Sequence, residues 1–144
     1  MAKDQHIPVL GEDAIVELLR AHGVTPTQQR VEIAQILFAR RQHLSAEQVL
    51  CLVNQKQSVA SKATVYNTLG LFAQQGLVRE VIVDPAKVFY DSNTDGHHHF
   101  YNVDNGALMD IEAEQVTIGQ LPSLPKGTVA AGVEVIIRVR NEKQ

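Results

Sequence analysis

Ser61-Lys62-Ala63-Thr64-Val65-Tyr66-Asn67-Thr68-Leu69 and its continuation to Gly76 decide the fold. Val65, Leu69 and Phe72 recur at helical spacing. Ser61 stands where a helix takes its N-cap, and Gly76 stands where one ends. The other side of that helix offers Lys62, Thr64, Tyr66, Asn67 and Gln74. Residues 77–83 then read as a strand, and Asp84-Pro85-Ala86-Lys87 as a type I turn with Asp first and Pro second. Val88-Phe89-Tyr90 is the returning strand. A helix followed by a short hairpin closes a winged helix-turn-helix, whose last helix enters the major groove while the hairpin lies along the backbone. By pattern alone, the same helix is equally an ordinary amphipathic one with a solvated outer face.

Upstream, the apolar positions Ala14, Ile15, Leu18 and Leu19 mark a first helix closed by Gly23, and His22 reads as a helix-end residue. Thr25-Pro26-Thr27 turns the chain into a second helix. Val31, Ala34, Leu37 and Phe38 are its buried stripe, and Arg40-Arg41 its last turn. Ser45-Ala46-Glu47-Gln48 is a capping box that opens a third helix. Cys51 on that helix reads as a small hydrophobe. Residues 1–10 read as a loose arm, with His6 solvated.

Downstream the pattern changes. Asp91 is followed by His97-His98-His99, three of six histidines in the chain. Side chains alternate faces along a strand, so His97 and His99 would point one way and His98 the other. Asp104-Asn105-Gly106 reads as a hairpin turn with positive φ at both central positions. That turn would place Asp110 opposite Tyr101, on the face of His97 and His99. Two imidazoles and a carboxylate suit a divalent transition metal of the nitrogen and oxygen class. Without a ligand, the same residues read as a solvated polar loop. Residues 116–121 are ambiguous between strand and helical turn, and residues 133–140 read as a terminal strand. An all-antiparallel remainder this small buries little alone, which makes a homodimer the expected state.

Totals narrow the classes. The chain has 144 residues, 44% of them hydrophobic, no tryptophan and a formal net charge of −3. Residues 1–87 carry nine Lys and Arg against eight Asp and Glu, while residues 88–144 carry four against eight. The first part is therefore the one suited to face DNA. One cysteine excludes an internal disulfide and any cluster of thiolates. No apolar run approaches a membrane span, no signal peptide is evident at the start, and the cytoplasm is the expected location.

Gly23-Val24-Thr25-Pro26-Thr27-Gln28-Gln29-Arg30, His43-Leu44-Ser45-Ala46-Glu47, Ala63-Thr64-Val65-Tyr66-Asn67-Thr68-Leu69 and the histidine block together resemble the ferric uptake regulator family. The resemblance spans nearly the whole chain. It is most similar to the iron response regulator branch, through Asn67, the block from Gly96 to Tyr101, and the tail residues 117–122 and 133–140. The fold so implied is α+β. A winged helix-turn-helix DNA-binding domain (1–92) precedes a small α/β dimerisation domain (93–144) that also senses metal or haem.

The resemblance implies a regulatory metal site between the domains, with His43, Asp91, His97, His99 and Asp110 as ligands to Mn, Fe or Zn. It implies no structural zinc, because Asn102 and Asn105 occupy the positions of a Cys-x-x-Cys pair. Haem, or a protein delivering haem, is a further expected partner. Its ligands would be His97, His98 or His99, with an exposed His98 the candidate. The expected contacts to double-stranded DNA are Thr25, Arg30, Ser61, Lys62, Thr64, Tyr66, Asn67, Arg79 and Lys87.

Three functional readings follow. The first is a homodimeric repressor on an AT-rich palindrome, controlling iron uptake and haem synthesis in response to haem or iron. The second is a manganese- or ferrous-iron-dependent, peroxide-sensing repressor. The third, a hydrolase built on His97, His99 and Asp110, lacks an evident general base or substrate pocket, so no enzymatic activity is expected.

Overall fold

The computed structural model describes residues 10–143. The expected arm, with His6, lies outside them except for Leu10. The chain divides into two compact units, residues 1–94 and 95–144.

In the first unit, α1 (Glu12–Ala21), α2 (Gln28–Leu37), α3 (Ala46–Val53) and α4 (Lys62–Gln74) surround one aliphatic core. Three of the four starts, those of α2, α3 and α4, are set by side-chain caps, while α1 begins after Gly11 without one. Thr27 Oγ1 accepts from the Arg30 amide, and Ser61 Oγ from the Thr64 amide. Ser45 and Gln48 form the reciprocal box that the sequence predicts. Val65, Leu69 and Phe72 of α4 are fully buried with Ile15, Leu19, Ile33 and Val49. Gly76 ends α4 at φ +77° and Gly23 follows α1 at φ +74°, a region that glycine enters without strain.

Two details of the helices differ from expectation. Ala14 is exposed. Arg40 and Arg41 are not in the last turn of α2, which stops at Leu37 with Phe38 as its cap. The Gln42 amide donates to the carbonyls of Ile36 (2.7 Å) and Leu37 (3.4 Å), so a side chain takes up the terminal acceptors and the chain turns away.

The wing is β2 (Arg79–Asp84) and β3 (Lys87–Asp91), joined where the Ala86 amide donates to Asp84 Oδ1 at 2.8 Å. A third strand, β1 (His43–Ser45), was not foreseen. It pairs antiparallel with β3, giving the order β1-β3-β2. At three residues it is too short to show a period of two.

The second unit is a three-stranded sheet of β4 (His98–Asn102), β5 (Leu108–Ile111) and β6 (Ile136–Val139), in the order β5-β4-β6. Its hairpin is not the two-residue turn expected. Gly106 has φ +73° but Asn105 does not have positive φ. The Asn102 carbonyl accepts from the Gly106 amide, and Asn102 Oδ1 accepts from the amides of Asp104 and Asn105. The longer loop shifts the register by two, so Asp110 pairs with His99 and Leu108 with Tyr101. A shift of two preserves the face, and a shift of one would not have done so.

The terminal strand is shorter than the apolar run, and it runs parallel to β4, so the unit is not all-antiparallel. Residues 116–121 form no strand, and one 3-10 turn, Ala113–Gln115, precedes them. Only Tyr101, Leu108 and Ile111 are buried apolar residues among those described here, while Ile118, Leu121, Leu124, Val129, Val133 and Ile137 are exposed. So little interior leaves a broad apolar surface on this unit.

Candidate functional site

His99 is the best-buried polar residue of the second unit, at 0% exposure. It lies directly opposite Asp110 across β4 and β5, where paired side chains share a face. His99 Nε2 and His97 Nε2 each lie 3.3 Å from the same Asp110 oxygen, Oδ1. The two rings meet edge-on, with centroids 4.5 Å apart.

The other ring nitrogens also meet acceptors. His97 Nδ1 lies 2.7 Å from the Asp95 carbonyl, which can only accept, so that nitrogen carries the proton. His99 Nδ1 lies 3.1 Å from Glu134 Oε1, again an acceptor. In its neutral form His97 therefore presents an Nε2 lone pair towards Asp110, while His99 stands between two carboxylates, one at each ring nitrogen. Two buried imidazole nitrogens and the oxygen of a half-exposed carboxylate fit a divalent cation of the nitrogen and oxygen class.

His98 differs. Its Nδ1 accepts from the Val135 amide at 2.9 Å, which commits that lone pair and leaves the proton on Nε2. The ring is buried rather than exposed. The expectation of an open imidazole is overturned because β6 packs beside β4 and its entry covers the ring. Any ligation through His98 first breaks a hydrogen bond.

The first unit holds two further expected ligands. Asp91, 1% exposed, lies at the end of β3, directly opposite His43 on β1 and Arg79 on β2. Its Oδ1 accepts from the Asn93 amide at 2.8 Å. Because β1 pairs with β3, His43 and Asp91 share a face, a relation that the sequence does not show. The His43 ring also meets Phe89 edge-on at 6.3 Å.

Among the expected DNA contacts, Ser61, Lys62, Tyr66 and Asn67 are exposed on the first two turns of α4, and Thr64 is half-buried. Lys62 Nζ stands 5.8 Å over the Tyr66 ring. Arg30, Thr64 and Asn67 line one open groove of about 280 Å³ with Thr27, Gln29 and Thr68. Arg30 is braced by the Thr25 carbonyl at 2.9 Å. Lys87 and Arg79 lie on the wing, Lys87 with Nζ 5.4 Å from the Phe89 ring. Tyr90, on the same hairpin, has its phenol pKa raised by burial first and then by the Glu80 carboxylate and Tyr66, so it stays protonated.

Glu134 was missed. Its sequence signal is a carboxylate between two valines in an apolar run, where the outward position of a strand is the ordinary reading.

Comparison with known proteins bears on the same segments. Residues 21–128 match the model of the Ferric uptake regulator family. The peroxide-responsive repressor PerR of Staphylococcus epidermidis is 30% identical over 105 residues, which cover 73% of this chain and 69% of that protein. The ferric uptake regulator from Pseudomonas aeruginosa, solved with manganese, superposes with a TM-score of 0.67 at 25% identity, over 93% of this chain and all of that one. The Vibrio cholerae ferric uptake regulator has a TM-score of 0.68 at 19% identity, over 88% of this chain and 98% of that one, and shows the same fold. The winged helix, the small dimerisation fold and the matched segment together establish that the chain belongs to the ferric uptake regulator family, whose members are metal-dependent transcription regulators and not enzymes.

Proposed function

We propose that this chain is a homodimeric repressor whose hold on a palindromic operator depends on a divalent metal. The observation that carries the reading is the convergence of His97 Nε2 and His99 Nε2 on one oxygen of Asp110. His43 and Asp91, paired across β1 and β3, are the ligands proposed from the first unit. Manganese and ferrous iron suit a set of three imidazoles and two carboxylates better than soft, thiolate-seeking metals do. The likeness to peroxide-responsive repressors favours peroxide as the signal. With ferrous iron bound, peroxide would oxidise a ligand imidazole and release the DNA.

The recognition surface is α4. Asn67 is placed to pair with adenine, and Ser61 and Thr64 suit phosphates. Thr25, Arg30, Lys62, Tyr66, Arg79 and Lys87 complete the proposed contacts. Few cations lie on this surface, so one reader unit binds weakly and two are needed.

A second reading, control of iron and haem genes by haem, is favoured by the triple histidine and by the tail's resemblance to the iron response regulator branch. It requires haem, free or delivered by a partner, to displace at least one buried, hydrogen-bonded ring. Anisotropy of a labelled AT-rich palindrome separates the two. The manganese reading predicts at least ten-fold tighter binding with Mn²⁺ than with chelator, and release by peroxide after Fe²⁺ loading. Metal-independent binding abolished by haem, together with a Soret band, would replace it with the second.

A further inference from the structure

We propose that Glu134, at the entry to β6, is a positioning residue that fixes the His99 tautomer and so presents Nε2 to the metal. The proposal rests on the reading of His97, His99 and Asp110 as a metal site and names a residue which that reading does not contain.

A ligating imidazole needs a proton on one nitrogen and a lone pair on the other. Where His97 Nδ1 meets a main-chain carbonyl, His99 Nδ1 meets a side-chain carboxylate. That carboxylate is Glu134, at 3.1 Å, while Asp110 faces Nε2 at 3.3 Å. A ring between two carboxylates has no tautomer preference from charge alone. Glu134 settles the choice because its oxygen is the nearer acceptor, at 3.1 Å, whereas Asp110 Oδ1 is divided between the Nε2 atoms of His97 and His99, each at 3.3 Å. The His99 amide donates to the Val135 carbonyl at 3.1 Å, and the Val135 amide donates to His98 Nδ1 at 2.9 Å. Residues 134 and 135 therefore hold both neighbouring rings, one by its donor nitrogen and one by its acceptor nitrogen. The result is a carboxylate–histidine–metal arrangement, in which the outer carboxylate orients the ring and raises its basicity. Asp95 does the same for His97 with a main-chain carbonyl.

The arrangement also explains why a run of three histidines supplies two ligands. The strand that directs His99 Nε2 towards Asp110 consumes the His98 lone pair. Because Glu134 leads directly into β6, a change at His99 reaches the edge of the sheet through two residues.

The test uses full-length protein labelled with ¹⁵N-histidine. In the metal-free wild type, long-range ¹⁵N–¹H spectra should show His99 as the Nδ1–H tautomer. Glu134→Ala should give His99 mixed tautomer signals and weaken Mn²⁺ binding, read by the EPR signal of free Mn²⁺, by about 10- to 100-fold. Glu134→Gln keeps an acceptor oxygen and should restore both to near wild type; the tautomer signal, which packing does not set, separates positioning from lost volume. Unchanged tautomer and affinity in Glu134→Ala would overturn the proposal. Equal loss in both variants with the tautomer unmoved would also overturn it, making Glu134 a direct ligand. If His99→Gln itself binds Mn²⁺ as wild type does, the metal site fails; if it loses binding while Glu134→Ala does not, only the positioning role fails.

Discussion

His99→Gln is expected to weaken Mn²⁺ binding by roughly 100- to 1,000-fold and to remove the metal dependence of operator binding. The size follows from the roughly 10–16 kcal/mol of a structural four-ligand zinc site, about 2.5–4 kcal/mol per ligand; manganese binds less tightly, so its loss falls at the lower end. Glutamine has similar length and a carbonyl that can face Asp110 or Glu134, but not a nitrogen lone pair. His99 is wholly buried, so shape must be kept if the loss is to be read as a ligand effect. Removing the ring entirely would add a cavity in place of a wholly buried side chain. The urea midpoint of the glutamine variant, measured without metal, separates the two causes. Equilibrium dialysis with Mn²⁺ checks the affinity, and a change below three-fold would remove His99 from the site.

Phe72→Ala should cost about 3–5 kcal/mol, the range for deleting a fully buried phenylalanine. Phe72 is at 0% exposure in the core of α4, among Ile15, Leu19, Ile33 and Leu69. Such a loss is a large share of the 5–15 kcal/mol that keeps a typical domain folded. It removes the platform for Tyr66 and Asn67 without touching either, so DNA binding falls with the folded fraction. Urea unfolding followed by far-UV circular dichroism measures it. Phe72→Leu, which keeps most of the volume, should lose clearly less. A cost under about 1 kcal/mol for the alanine variant would mean that the core reading of α4 is wrong, since that is the range of surface positions.

Local chemistry made the first unit legible. Ser45 with Gln48, and Ser61 before Val65, are caps whose partners lie three residues away, so the sequence alone shows both halves of each interaction. The Asp84-Pro85 turn likewise carries its own instruction. What was hidden depends on residues far apart in the chain. The β1 strand exists because residues 43–45 meet β3 across more than forty positions, and only that pairing places His43 beside Asp91. In the second unit, the side chain of Asn102 took two loop amides and lengthened the turn, a choice no Asn-Gly signal reveals. The alternation of His97, His98 and His99 was readable, but the role of His98 was not. Its lone pair is claimed by Val135, thirty-seven residues later, on a strand that runs parallel where an antiparallel one was expected.

The central claim is that a metal held by imidazoles and carboxylates fixes the spacing of two recognition helices in a dimer. The single cysteine permits a direct test, because Cys51 is exposed on α3, which packs against α4. One nitroxide label per protomer gives a single inter-label distance by pulsed EPR, with diamagnetic Zn²⁺ as the ligand. The account predicts a broad distribution in the metal-free dimer that narrows or shifts on adding Zn²⁺, and no such response in His99→Gln. The same distribution with and without Zn²⁺, in a wild-type dimer shown to bind the ion, would contradict it.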